Sequence, residues 1–322
     1  MFDIVGLGSA LMDFTVRVDD AMLVRLGLKK GTMQLIDETR SREILDAISH
    51  LDMNTTPGGS SANTVAGVAN LGGSAVFMGK VGNDEFGNLY RELNEKAGIT
   101  VRLNKHRSMT GHAITFITPD SQRTFATHLG AAMHFRRDDI VDGDIRNTKI
   151  LHIEGYMLEH PDIKAACVEA MELAKAGGAM VSIDLADPSL IERNFEDFKA
   201  LMKTHADILF VNEEEAFAFT GAKGEEALHR LSEYGDIAIV KLGEQGSIIK
   251  SGGSVYRIPA FVTDVVNTNG AGDMYAAGML YGISHGFSMK RSGMIGSYMA
   301  SLVVAQVGAR LGGMTDVRHI GI

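Results

Sequence analysis

A single cysteine, Cys167, and no tryptophan stand among 322 residues. One thiol can neither close an internal disulfide nor build a cysteine-rich metal site. Cys167 falls in Ile163–Leu173, where apolar residues recur at helical spacing, so a small core residue is expected there rather than a nucleophile. Long basic runs are missing too. No Lys/Arg block exceeds two in a row, and acids outnumber bases 40 to 31, for a formal net charge of −9. A groove that tracks a nucleic-acid backbone needs a basic stripe, so no nucleic-acid partner is expected. The uncharged run Ser292–Ala309 holds three serines, three glycines and a glutamine, which suits a buried helix better than a bilayer span. The opening MFDIVGLGSALMDF is interrupted by Asp3 and Asp13, with no basic region before it, unlike a signal peptide. A cytoplasmic protein with no membrane partner is the expectation. What is present is ordinary: 45% apolar and 22% charged residues exclude a disordered or fibrous chain.

Along the chain, two rhythms alternate. Phe2–Leu7 reads as a first strand. Thr15–Val18, Thr32–Ile36, Ile114–Thr118 and Thr124–His128 are short and β-branched, too short to form a core alone but able to pair into a small covering sheet. The remainder alternates strand and helix. Strands are expected at Ala75–Gly79, Lys149–Ile153, Met180–Asp184, Ile208–Val211 and Ile237–Lys241, and helices at Phe86–Ala97, Pro161–Ala176, Phe195–His205 and Glu213–Phe219. A hairpin around Gly252-Gly253 and two long helices, Gly272–Tyr281 and Lys290–Val307, finish the chain. This alternation implies an α/β fold with a mostly parallel sheet covered on both faces. Ligands then sit beyond the carboxyl ends of the strands. Length alone suggests about two domains. The absence of any linker or repeat favours one α/β domain over 1–322, with a β lid from about 13–37 and 100–130.

Two glycine-rich segments stand out. Pro57-Gly58-Gly59-Ser60-Ser61-Ala62-Asn63 runs into a helical stretch that stops at Gly72-Gly73. It reads either as a place where backbone N–H groups approach a polyol, with Asn63 both donating and accepting, or as a tight helix entry capped by Ser60. Asn267-Thr268-Asn269-Gly270-Ala271-Gly272-Asp273 opens another helix. Small residues at a helix N-terminus expose unpaired N–H groups, and the helix dipole adds positive charge, so an anion fits there. Asp273 at that edge either caps the helix or takes a proton from a hydroxyl that attacks phosphorus.

Competing motifs fail. Gly6-Leu7-Gly8-Ser9-Ala10-Leu11 has leucine where a dinucleotide fingerprint needs its third glycine. Gly79-Lys80-Val81 lacks the Ser/Thr of a phosphate-binding loop, and His152-Ile153-Glu154 lacks a third metal ligand.

Taken together and in this order, the two segments resemble the signatures of the PfkB carbohydrate kinase family, also called ribokinase-like. The stretch Gly79-Lys80-Val81-Gly82-Asn83-Asp84-Glu85-Phe86-Gly87, the element Asn212-Glu213-Glu214-Glu215 and the strand end Lys241-Leu242-Gly243-Glu244-Gln245-Gly246 are similar to further family elements. The resemblance spans nearly the whole chain. It implies a three-layer α/β/α sandwich with a small β-sheet lid, and transfer of the ATP γ-phosphoryl group to a primary hydroxyl of a sugar or nucleoside. Carried over by position, Asp273 would be the base and Gly270, Ala271 and Gly272 the anion hole. Asp13, Gly58, Gly59 and Asn63 would hold the acceptor, with Glu154 a further candidate. Asn212, Lys241, Gly243, Gly246 and Asn269 would border the nucleotide, and Glu215 would hold Mg²⁺ through water. A non-catalytic sensor on the same scaffold is disfavoured by the intact Asp273.

Two positions depart from the family pattern. Asn267 stands where the family has Asp beside a monovalent-cation site, so K⁺ activation is not expected to carry over. Asn269 replaces a frequent Thr and is similar to adenosine-kinase-like members. Gly8–Asp13 and Thr118–Thr124 lean toward the bacterial adenosine-kinase-like branch, although an unassigned sugar remains equally open. Oligomeric state is open as well, exposed lid edges being one route to a homodimer.

Overall fold

The computed structural model describes residues 1–320, so the last two positions of the expected 1–322 domain lie outside the described residues. The first half of the chain runs β1 (Phe2–Leu7), β2 (Leu11–Arg17), α1 (Asp20–Arg25), β3 (Met33–Leu35), α2 (Glu38–Ile48), β4 (Met53–Gly58), α3 (Ser60–Asn70), β5 (Ala75–Gly82), α4 (Glu85–Lys96), β6 (Thr100–His106), β7 (Gly111–Ile117) and β8 (Arg123–His128). The second half runs α5 (Asp142–Arg146), β9 (Thr148–Glu154), α6 (Pro161–Ala176), β10 (Met180–Asp184), α7 (Pro188–Arg193), α8 (Phe195–His205), β11 (Ile208–Asn212), α9 (Glu213–Thr220), α10 (Gly224–Leu231), β12 (Ile237–Lys241), β13 (Ser247–Ser251), β14 (Ser254–Ile258), α11 (Ala271–Ser284) and α12 (Met289–Val304).

Nine strands form the large sheet in the order β14-β13-β12-β11-β10-β9-β1-β5-β6. Every pair from β12 through β6 is parallel, and β13 alone runs against the rest, pairing antiparallel with both β12 and β14. The central strands read as continuous apolar runs because both faces are covered. Ile4, Phe77, Ile150, Phe210 and Ile239 pack against α3 and α11. Their neighbours Val5, Met78, Leu151, Val211 and Val240 pack on the opposite face against α6, α8, α9 and α10. Cys167 is buried in that second layer, as expected. Among the described residues, no helix is long and apolar enough to cross a membrane.

A second sheet of five strands, β3-β8-β7-β2-β4, forms the lid. Met12, Phe14 and Val16 of β2 point into a core under α1, α2 and α4, with the Phe14 and Phe86 ring centroids 4.9 Å apart. The alternate residues Asp13 and Thr15 face the large domain.

The expected lid differs in two places. Within 100–130, Thr100–His106 is instead the edge strand of the large sheet, paired with β5 from Val76 to Gly82. Met53–Gly58 joins the lid as β4, pairing antiparallel with β2. Pro57 and Gly58 hide this strand from a propensity reading. Proline is tolerated because β4 is an edge strand.

Helices α11 and α12 touch through glycine. A Cβ placed on Gly278 would lie 2.6 Å from the Gly296 backbone nitrogen. Gly278→Ala is therefore expected to cost about 1–3 kcal/mol of stability, read from the urea midpoint. Gly253→Ala, with nothing within 4 Å of its added Cβ, should stay within about 0.5 kcal/mol of the parent.

Candidate active site

The site begins at the tip of α11. Gly270 is its N-cap in the left-handed region, φ 77°, and a Cβ there would meet the Ala309 carbonyl oxygen at 2.4 Å. No side chain caps this helix. The Ala271 N–H reaches the Thr268 carbonyl at 3.3 Å, and the next N–H groups stay available at the positive end of the dipole. Beside the tip stands Lys241, from the end of β12. Its Nζ would lie 3.2 Å from a Cβ on Gly272 and donates to Asp184 Oδ2 at 2.7 Å. Burial pushes the Lys241 ammonium toward losing its proton, but Asp184 and Glu215 outweigh burial and hold its pKa above the ordinary value. The helix tip therefore carries a fixed positive charge as well as its dipole.

Asp273 lies in the first turn of α11 but does not cap it. Its carboxylate accepts from Ser60 Oγ at 2.7 Å and from Asn63 Nδ2 at 2.9 Å, both on α3. Burial raises its pKa, and these two donors oppose the rise without cancelling it. Ser60 thus serves Asp273, and Gly59, not Ser60, is the N-cap of α3. Gly58 and Gly59 do not line the cavity. They let the loop pack: a Cβ on Gly59, at φ 92°, would sit 2.2 Å from the Ser9 carbonyl oxygen, and one on Gly58 would sit 2.3 Å from Asp13 Oδ2.

Asp13 faces this same point from the lid strand β2. Burial lifts its pKa to about 6, with Arg310 opposing the rise and Asp273 adding to it. Glu154 has a different environment from the one expected. It is 1% exposed, does not line the cavity, and accepts from the backbone N–H of Ser9 at 2.7 Å and of Ser61 at 2.8 Å. It ties the β1–β2 turn to the start of α3.

On the far side of Lys241, Asn212 and Glu215 form a capping box on α9. Asn212 Oδ1 accepts from the Glu215 N–H at 2.8 Å, while Glu215 accepts from the Asn212 N–H at 2.7 Å and from its Nδ2 at 2.6 Å. The pair thus has a structural task at the helix start, yet both residues also line the cavity. Burial lifts Glu215 to about 7, against the pull of Lys241. Asn267 is engaged too: its Oδ1 accepts from Arg123 Nη1 of the lid at 2.6 Å and from the Asn269 N–H at 2.9 Å.

Asp13, Asn63, Asn212, Glu215, Lys241 and Asp273 line one cavity of about 1370 Å³ between lid and large sheet. One end is roofed by Thr15, Asn54, Thr56, Thr115 and Phe125 of the lid. The other is bordered by Gly243, Gly246, Val262, Val265 and Val307. These three valines are exposed, Val262 fully, and give that border apolar surface.

The model of the pfkB family carbohydrate kinases matches residues 21–316. The chain belongs to that family. The kinase is 30% identical over 269 residues to 5-dehydro-2-deoxygluconokinase of Clostridium perfringens, covering 79% of this chain and 80% of that one. The crystal structure of adenosine kinase from Sinorhizobium meliloti superposes with a TM-score of 0.86 at 33% identity, covering 96% of each chain. A probable sugar kinase protein from Rhizobium etli gives 0.87 at 32% identity over 98% of this chain and 96% of that one. The kinase thus has the ribokinase-like fold, and its relatives act on sugars or nucleosides.

Several site residues escaped sequence reasoning. Asp184 ends a strand in the loop layer where ligands gather, a position that the strand-end rule could have flagged. Arg123 lies in the quoted Thr118–Thr124 stretch, but nothing local says that it crosses to Asn267. Ser60 and Arg310 carry no signal, since their partners are more than 200 residues away.

Glu154→Gln tests the clamp. Glutamine accepts one N–H and turns its own N–H₂ toward the other. The expected loss is about 1–3 kcal/mol of unfolding free energy, measured by urea denaturation.

Proposed function

We propose that this kinase transfers the γ-phosphoryl group of ATP to a primary hydroxyl of a sugar or nucleoside, with Asp273 as the base. The observation that supports this most is the position of Asp273. Its carboxylate sits in the first turn of an uncapped, glycine-led helix, at the point where an acceptor held by the lid would meet an anion held by the helix tip.

The acceptor hydroxyl gives its proton to an Asp273 carboxylate oxygen as its oxygen attacks the γ-phosphorus. The bond to the β-phosphate oxygen breaks and ADP leaves. The N–H groups of Ala271, Gly272 and Asp273, with Lys241, hold the charge on the transferring group. Positioning and charge stabilisation supply most of the acceleration, and the base adds about 10²–10⁴-fold. The lid excludes water that would otherwise hydrolyse ATP.

The donor set fits a magnesium ion. Glu215, Asp184 and Asn212 offer hard oxygens at the cavity wall, and no cluster of three ligands occurs among the described residues, so waters and phosphate oxygens would complete the shell. The ion would neutralise phosphate charge. Asn267 offers one amide oxygen, already shared by two donors, where a potassium ion would need vacant oxygens.

For the acceptor, the lid face lining the cavity is made of threonines, Asn54, Ala113, Ile117 and Phe125, with Asp13 as its one acid and Arg123 as its one cation. That cation is bonded to Asn267. This surface favours an uncharged sugar carrying an apolar substituent, in keeping with the adenosine-kinase-like reading, over a free acid.

A panel of adenosine, inosine, ribose, fructose, fructose 6-phosphate and a keto-deoxy acid with Mg-ATP, read by ADP release, tests the class. Turnover with none of them removes the proposal. Asp273→Asn should leave nucleotide binding intact and cut turnover by about 10²-fold or more. Asp13 must be ionised to accept hydroxyl protons, and its raised pKa is about 6. Acceptor KM should therefore rise as pH falls through that value, and Asp13→Asn should abolish this dependence. Replacing Na⁺ by K⁺ should change the rate by less than about twofold, as expected where no charge is left to bind the ion.

A further inference from the structure

The loop after α12 touches both signature segments, and the proposed mechanism uses neither contact. Ala309 abuts Gly270 at the helix tip. The next residue, Arg310, turns inward. Its Nε donates to Asn63 Oδ1 at 2.7 Å, its Nη1 to Asn94 Oδ1 at 2.8 Å, and its Nη2 lies 3.4 Å from the Gly58 carbonyl oxygen. Tyr90 Oη donates to that same carbonyl at 3.0 Å. Arg310 does not line the cavity.

The chemistry of an amide gives this contact a consequence. A guanidinium only donates, so it dictates which end of Asn63 it faces. With Oδ1 held by Arg310, Nδ2 must face Asp273, and it donates to the carboxylate at 2.9 Å. Freed from Arg310, the amide could rotate and present its oxygen, which the ionised carboxylate repels. We infer that Arg310 is a positioning residue of the phosphotransfer site: through Asn63 it keeps a donor on Asp273 and so keeps the base ionised. This rests on the reading of Asp273 as the base.

The electrostatic surroundings agree. Asp273 is faced by Asp184 of β10 and Lys241 of β12, by Asp13 of β2, and by Glu154 of β9. Three of these are acids that favour its protonated form. Lys241 is already bonded to Asp184. Arg310 is the second cation of the cluster and also faces Asp13 and Tyr90. Burial lowers the pKa of Arg310, and these neighbours partly restore it. Removing Arg310 removes both a charge and the amide's orientation, and both losses push Asp273 toward holding its proton at neutral pH.

The experiment compares Arg310→Met, Arg310→Lys and Arg310→Ala in the full chain. In kcat at saturating acceptor, Arg310→Met should lower the plateau about tenfold and move the acid limb up by about one pH unit. Arg310→Lys keeps the charge without the fork and should show a smaller shift. Guanidinium added to Arg310→Ala should restore a large part of the rate. An unshifted acid limb together with no rescue would overturn the inference, leaving Arg310 as a packing residue. If Arg310→Met fails to fold, the limb of Arg310→Lys and the rescue of Arg310→Ala carry the decision. Carbon-13 titration of the Asp273 carboxyl, in parent and variant without substrate, separates the two proposals. A shifted carboxyl in a protein that phosphorylates no acceptor would sink the function and keep the coupling. A normal acceptor profile with an unmoved carboxyl would do the reverse.

Discussion

The Asp273 carboxylate holds this structure's purpose together. It lies in the first turn of α11, near the end of the chain, yet both its hydrogen bonds come from α3, in the first quarter. The large sheet places α3 and α11 side by side on one face, which brings these donors to it. Burying a carboxylate is costly unless donors meet it. Ser60 and Asn63 meet it while leaving it harder to ionise than an exposed acid. That compromise suits the role of base proposed for it, which requires accepting a proton and then releasing it.

Charge is arranged around that point in a graded way. Lys241, paired with Asp184, stands beside the helix tip. Burial lifts Asp13 to about 6 and Glu215 to about 7, so both acids at the cavity wall ionise less readily than exposed carboxylates. Bringing several acids together without enough cations would cost stability. Arg310, from a loop outside the cavity, offsets part of that repulsion while facing Asp13 and Asp273. The chain as a whole is acidic, so the local cations matter more than the net charge.

Much of the fold was legible because strands of the large sheet are apolar on both faces and the helices between them end at glycines. Gly221 ends α9 in the left-handed conformation, for example. The lid was less legible. Its strands are half exposed, so their apolar signal is halved, and β4 hides behind Pro57 and Gly58 in a segment that also reads as a helix entry. The expected lid bounds took in β6 because nothing local in Thr100–His106 announces a strand or the sheet it joins.

By itself the sequence determined the α/β class, the family, and the two glycine-rich segments, since these depend on local periodicity and on residue types that only certain backbone shapes accept. It named Asp273, Asn63, Lys241 and Glu215, but not what each one touches. Only the tertiary structure decided that Glu154 clamps two backbone amides away from the cavity, that Ser60 serves Asp273 and not its own helix, and that Arg123 and Arg310 reach Asn267 and Asn63. Those facts depend on which side chains converge from distant parts of the chain, and convergence across 200 residues leaves no mark on local pattern.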